Sequence, residues 1–268
     1  MDSFLVTSLV ITILAFTAIW LIHVPLRDAG IVDYYWGPGF AVVGWAGLAF
    51  GAEASAMKLL LIAAVSVWSV RLAAQLIMRH RLMPEEDARY ASMRRAGGPQ
   101  WWWQSLYKVF WLQAVILWIV ATPVHAILAA PASALLTHAG EFGLFLFVIG
   151  LLIETVADWQ LYRHRRQGKS GRETLTGGLW AYSRHPNYFG EILLWFGIGL
   201  AAYDLSGLWW ALAGPVVLTL VIRFVSLPLT EKHLIASRAD YAAYAARTPV
   251  LSPLPRARAR TLTTGPAE

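Results

Sequence analysis

A chain of 268 residues that is 57% hydrophobic and only 14% charged lacks the charge, about a quarter of residues, with which a soluble domain covers its surface. It reads as a membrane protein. The absence of cysteine excludes a disulfide scaffold, zinc–thiolate and iron–sulfur sites and a cysteine nucleophile, and no metal is expected. The net charge of +6 is informative through its distribution and not as a nucleic-acid signal.

A hydrocarbon core about 30 Å thick takes about 20 apolar helical residues. Charge clusters bound seven such runs: Phe4–Leu26, Tyr34–Phe50, Met57–Met78, Ser105–Ala129, Phe142–Tyr162, Tyr188–Ala202 and Leu208–Leu229. The expected fold is all-α, a polytopic membrane protein of about seven transmembrane helices. The first run has no basic start and no small-residue cleavage site, so it is read as a helix and not as a signal peptide. Eighteen of the 22 Lys and Arg residues lie in the connections after the first, third, fifth and seventh runs. Basic residues near helix ends stay cytoplasmic, which places the N-terminus outside and the C-terminus inside. No linker divides the chain. A single domain over residues 1–255 is expected, followed by a disordered basic tail at 256–268.

A charge inside a bilayer costs at least a few kcal/mol and marks a cavity or a partner. Between the first two runs, IVDYYWGPGF places Asp33 beside two tyrosines. Asp33 is either a helix cap or, with Tyr34, an acid pair able to polarise a carbonyl and deliver a proton. The third run carries Trp68, Arg71 and Gln75, with Arg71 expected to point inward, to an ion pair with Glu154 or Asp158 or to a ligand. The stretch Glu85, Glu86, Asp87, Arg89, Tyr90 is either a solvated loop or part of a site. Trp101, Trp102 and Trp103 read as an interfacial anchor. The fifth run ends in ETVADWQLYRHRR, where Glu154, Asp158, Tyr162 and Arg165 share one helical face. That face either accepts hydroxyl hydrogens and holds an anion, or is a helix end with snorkelling side chains.

The densest constellation is TGGLWAYSRHPNYFGEILLW at residues 176–195. Pro186 reads as the first residue of a helix. Gly177, Gly178, Arg184 and His185 then lead into a helix N-terminus, whose free N–H groups and dipole attract an anion. Arg163, Arg165, Arg166, Lys169, Arg172 and Arg184 add charge for phosphates. The competing reading is a basic loop that holds lipid headgroups.

GGLWAYSRHPNYFGE resembles the C-terminal motif of the steroid 5-alpha-reductase-like and sterol-reductase membrane enzymes, in particular an uncharacterised bacterial branch. IVDYYWGPGF and EDARYASMRR are similar to that branch's N-terminal motifs, and the likeness spans about residues 30–255. It implies a helical membrane enzyme of a bacterial inner membrane. NADPH would lie in a pocket open to the cytoplasm, and a carbon–carbon double bond, commonly conjugated to a carbonyl, would be reduced in a steroid or isoprenoid-like lipid. By the resemblance, Asn187, Tyr188 and Glu191 line the cofactor pocket, Asp158 and Arg165 contact the nucleotide, and Tyr244 lies near the adenine end. Trp180 and His185 fall inside the long motif. The family's N-terminal Glu and Tyr, which engage the enone carbonyl, are left unassigned.

The expected activity is thus that of an NADPH-dependent oxidoreductase on CH–CH groups, with a lipophilic substrate, membrane lipids around it and no nucleic acid. Tyr34 and Asp33 are the expected proton-donating pair, with Tyr90 and Glu154 behind them. Two other readings stay open: an S-adenosylmethionine-dependent methyltransferase of the isoprenylcysteine carboxyl type, which has a similar Arg-His-Pro-x-Tyr motif, and a non-enzymatic lipid-binding protein.

Overall fold

The computed structural model describes residues 2–82, 86–169 and 173–251, and every regular element among them is a helix. α1 (Asp2–Leu26), α2 (Ile31–Ala49) and α3 (Ala56–Leu82) come first. α4 (Arg89–Val120) is a long run interrupted by a 3-10 turn at Gly98–Gln100, where Pro99 has no amide hydrogen to give. α5 (Thr122–Ala129), α6 (His138–His164), α7 (Pro186–Ser206), α8 (Trp209–Ser237) and the short α9 (Tyr241–Arg247) follow. Glu85, Arg172, Pro253, the basic tail and the side chain of Lys169 lie outside the described residues.

Six described helices, α1, α3, α4, α6, α7 and α8, are long and apolar enough to cross a membrane. Their outer faces leave Val6, Leu14, Val70 and Phe145 uncovered, a pattern that suits lipid and not water. The protein is an integral membrane protein.

The expected second span differs. α2 has 19 residues but falls outside those six, because Asp33, Tyr34, Tyr35 and the helical Gly37-Pro38-Gly39 stretch dilute its apolar run; it packs between α1 and α3. The expected fourth span, Ser105–Ala129, is two helices. The chain breaks at Ala121 (φ −72°, ψ 5°) and α5 begins with Pro123 in its first turn, where a proline ring would clash with a preceding helical turn. Thr122 pins the break: its Oγ1 accepts the Gly214 amide at 2.7 Å.

Two packing features position the site. α6 and α7 run antiparallel in backbone contact. A Cβ at Gly150 would lie 2.6 Å from the Gly190 carbonyl oxygen, and one at Gly190 would lie 2.6 Å from the Glu154 amide nitrogen. Small residues let helices approach this closely where lipid supplies no hydrophobic drive. Gly150, Glu154 and Asp158 belong to one buried stripe of α6, so the acids sit directly beside the tightest contact. The second feature is aromatic. Phe40, Trp68 and Trp195, from α2, α3 and α7, meet with ring centroids 4.6, 5.2 and 5.7 Å apart.

Lys58, which breaks the charge alternation of the sequence, has a structural role at the opposite end of α3 from Arg79. Its buried ammonium donates to the Leu128 carbonyl at 3.0 Å, satisfying an open carbonyl in the last turn of α5, where a cation also suits the helix dipole.

Candidate active site

The centre of the polar cluster is Arg71. Its guanidinium donates to Glu154 Oε1 at 2.5 Å and, through the other terminal nitrogen, to Asp158 Oδ2. The four-residue spacing of the two acids puts both on the α6 face that meets α3. Trp68 Nε1 donates to the second Glu154 oxygen at 3.0 Å, and Asn187 Nδ2 to Asp158 Oδ1 at 3.3 Å. Glu154 is 2% exposed and Asp158 5%. Glu191, one turn after Asn187 on α7, is within electrostatic range of Glu154, Asp158 and Arg71. Glu154 and Asp158 thus bond one central guanidinium, and Glu191, within electrostatic range of it, offers carboxyl oxygens for hydroxyl or amide hydrogens of a ligand. Phe40, Trp68 and Trp195 form an apolar wall next to them.

Toward the arginine-rich end, Arg165 is within electrostatic range of Asp158 and of two further cations, Arg79 and Arg238. The buried Arg165 Nε, Arg238 Nε and Asn187 Oδ1 have no hydrogen-bond partner among the described residues. Arg79 and Arg238 escaped the sequence reading, although Arg71, Gln75 and Arg79 recur at four-residue intervals on α3, a signal that a strict face count would have found.

Asp33 is in the first turn of α2, not at its cap; Gly30 holds that position, and its amide donates to Asp28 at 2.8 Å. The Tyr90 hydroxyl donates to Asp33 Oδ1 at 2.7 Å and accepts from Gln113 Nε2 at 2.9 Å, while Arg89 donates to Asp33 Oδ2 at 3.1 Å. Tyr34, the expected partner, instead packs edge-on against His80 at 5.7 Å, because one helical residue turns the side chain by about 100°. Glu86–Arg95 is mostly helix, capped by Asp87, which accepts the Arg89 amide. Tyr188 lies between the two clusters, within electrostatic range of Glu191 and of Arg79 and Arg89. Of the other face-sharing residues, Tyr162 turns to an outer groove with Trp159. Of the tryptophan triplet, Trp101 is buried, while Trp102 and Trp103 are exposed.

Pro186 opens α7 as expected, with His185 at the cap position. The preceding loop is fastened from two sides. Trp180 is buried with its indole donating to the Ala157 carbonyl at 3.2 Å, and the Tyr244 hydroxyl donates to the Trp180 carbonyl at 2.6 Å. Arg184 is paired with Glu231, while His185 Nε2 and the Tyr241 hydroxyl lie 2.6 Å from the other Glu231 oxygen. Burial and the neighbouring carboxylate push the Tyr241 hydroxyl well above the usual tyrosine range, so it stays a donor. Arg184, His185 and Tyr244 are therefore engaged with protein groups, and Glu231 takes up the charge of Arg184, one of the six basic residues that the sequence assigns to phosphates.

A second clasp joins this loop to α9: Asp240 accepts the Thr174 amide at 2.8 Å and its hydroxyl at 2.7 Å. These donors hold the Asp240 carboxyl below its ordinary range. A depressed carboxyl stabilises the folded state above its unfolded pKa and loses that effect as pH falls through the folded value, here below about 4. Protease cleavage near Thr174 is expected to rise between pH 5 and pH 3, and Asp240→Asn to flatten that rise. Equal cleavage at both pH values in the native chain would refute the clasp.

Fold and site together define a polytopic helical membrane protein with a buried ionic cluster walled by aromatic rings. A family model described as a protein of unknown function, DUF1295, matches residues 19–248, and the chain belongs to that family. It is also similar to 3-oxo-5-alpha-steroid 4-dehydrogenase 1 of Bos taurus (39% identity over 71 residues, 26% of this chain and 27% of the relative). Steroid 5-alpha-reductase DET2 of Gossypium hirsutum is 38% identical over 65 residues, 24% of this chain and 25% of the relative. For 3-oxo-5-alpha-steroid 4-dehydrogenase 2 of Homo sapiens the figures are 36% over 68 residues, 25% and 27%. The similarity spans about a quarter of the length of these relatives. No solved structure matches the chain.

Proposed function

We propose that this chain is an integral-membrane reductase that uses NADPH to saturate a carbon–carbon double bond conjugated to a carbonyl in a steroid or isoprenoid-like lipid. The observation that carries the reading is the junction of unlike surfaces: the Arg71–Glu154–Asp158–Asn187 cluster has an aromatic wall on one side and Arg79, Arg165 and Arg238 on the other. The names of the reductase relatives agree with it.

The donor set fits a phosphorylated dinucleotide. Arg165 has two cations, Arg79 and Arg238, and one carboxylate, Asp158, within electrostatic range, so a further anion is favoured there, and arginine's planar fork suits phosphate. The free Asn187 Oδ1 and the Glu191 carboxyl suit amide and ribose hydroxyl hydrogens. When bound, NADPH supplies a hydride and leaves as NADP⁺. Arg71 holds Glu154 and Asp158 in place, and the aromatic wall excludes water from the reacting carbons. Asp33 and Tyr90, not Asp33 and Tyr34, hold the proton that reaches the carbonyl side of the substrate, stabilising the charge that develops there. Hydride added at the β carbon and a proton that ends on the α carbon, by way of the enol, would leave a saturated carbonyl compound. The arginine-rich end faces the cytoplasm in this reading, as positive charge near helix ends favours.

S-adenosylmethionine carries no phosphate, so the methyl-transfer reading leaves the three arginines without a role. Purified protein titrated with NADPH, NADH and S-adenosylmethionine is expected to gain thermal stability with NADPH above all. Arg165→Gln and Asn187→Ala are each expected to weaken NADPH binding by about tenfold, the worth of one charge-assisted or buried hydrogen bond. A preferential response to the methyl donor, or unchanged NADPH affinity in both variants, would overturn the proposal.

A further inference from the structure

The outer face of α6 carries a feature that the reductase reading does not use. Phe145, Val148, Leu152, Val156 and Trp159 are all exposed, and their spacings of three and four residues make one continuous stripe along the helix. The stripe ends at Arg163 and Arg166. There Trp159, Tyr162, Arg163, Arg166 and Gln167 line a surface groove of about 370 Å³. Arg163 lies over the Trp159 ring at 5.5 Å and Arg166 over the Tyr162 ring at 5.9 Å. No carboxylate is among the lining residues. This face is turned away from the buried stripe that holds Glu154 and Asp158.

We propose that this groove binds the phosphate of an anionic phospholipid, whose acyl chain lies along the Phe145–Trp159 stripe. The geometry combines the three things such a lipid needs in the right order along the helix: an apolar track about 21 Å long, deeper than one leaflet, an aromatic ring at the interface, and paired guanidiniums just above it. The rings hold the arginines by cation–π contact and keep them extended over the groove. A soluble phosphate compound would find the arginines but make no use of the track, so the occupant is a lipid. Gln167 adds an amide for a headgroup hydroxyl. The proposal stands independently of the reductase reading.

The test is made on full-length protein in neutral detergent, titrated with phosphatidylglycerol or phosphatidylcholine and read by native mass spectrometry together with thermal stability. Wild-type protein is expected to retain phosphatidylglycerol over phosphatidylcholine. The Arg163→Gln/Arg166→Gln double variant should lose about 25-fold in phosphatidylglycerol affinity, about fivefold per arginine. Arg163→Lys/Arg166→Lys should restore part of it, and Arg95→Gln, an exposed cation away from the groove, should change nothing. The melting temperature without added lipid should be the same in all of these variants, which reports that each is folded. Equal retention of the two lipids, an undiminished phosphatidylglycerol affinity in the double variant, or an equal loss in Arg95→Gln would each overturn the proposal. Displacement of the lipid by soluble glycerol phosphate at matching concentrations would do the same by assigning the groove to soluble phosphates.

Discussion

Replacing Arg71 with methionine is expected to destabilise the protein by about 3–5 kcal/mol, the cost of leaving buried charge without its counter-ion. Arg71 bonds Glu154 and Asp158 at once, and Trp68 and Asn187 supply only neutral donors to them. The loss reflects two carboxylates left buried, more than the net strength of the ion pair itself. A triple variant, Arg71→Met/Glu154→Gln/Asp158→Asn, removes the charges together and should recover most of the melting temperature while binding no NADPH. If Arg71→Met melts within about a degree of the native protein, the cluster is solvated and the account of it fails. The comparison also separates stability from function, since only the single variant should be hard to fold.

Gly190→Val should have an effect of similar size by another route. Its first side-chain carbon would collide with two backbone atoms, the Glu154 amide nitrogen at 2.6 Å and the Gly150 carbonyl oxygen at 2.7 Å. Backbone cannot rotate away as a side chain can, so α6 and α7 must part. Overpacking of this kind costs about 3 kcal/mol. The separation also pulls Asn187 from Asp158 and moves Glu191, so NADPH affinity should fall with stability. Gly177→Ala is the control: an added carbon there meets nothing within 4 Å, and melting should be unchanged. A Gly190→Val protein that binds NADPH normally would show that the helix spacing does not set the site.

The sequence makes some of this visible because certain signals are one-dimensional. Hydropathy locates the long spans, and the four-residue interval of Glu154 and Asp158 already implies a shared face. Pro186 marks the start of α7. Arg71 presents its two readings, and its hydrogen bonds decide for the ion pair. What stays hidden depends on partners far apart in the chain. Nothing local to Asp33 indicates Tyr90 over Tyr34, because that choice depends on how α4 crosses α2. The cationic reading of Arg184 and His185 likewise overlooks Glu231, 47 residues beyond Arg184 and brought back by α8. Among the described residues, Arg184 and Arg165 each leave an Nε without a partner, but Arg184 has Glu231 at another nitrogen, whereas Arg165 meets no carboxylate at hydrogen-bond distance there. Charge counting shows how many arginines gather at one end, and only tertiary contact distinguishes the neutralised from the available.

The close approach of α6 and α7 bears on how such a chain enters a bilayer at all. Glu154 and Asp158 would be costly passengers for a helix inserted alone, yet the helix that covers them is the next to leave the ribosome. Arg71, made earlier, is already waiting in α3. Delivery of α6 and α7 as one hairpin, after α3, would bring the acids to their shield and their counter-charge together and avoid that cost.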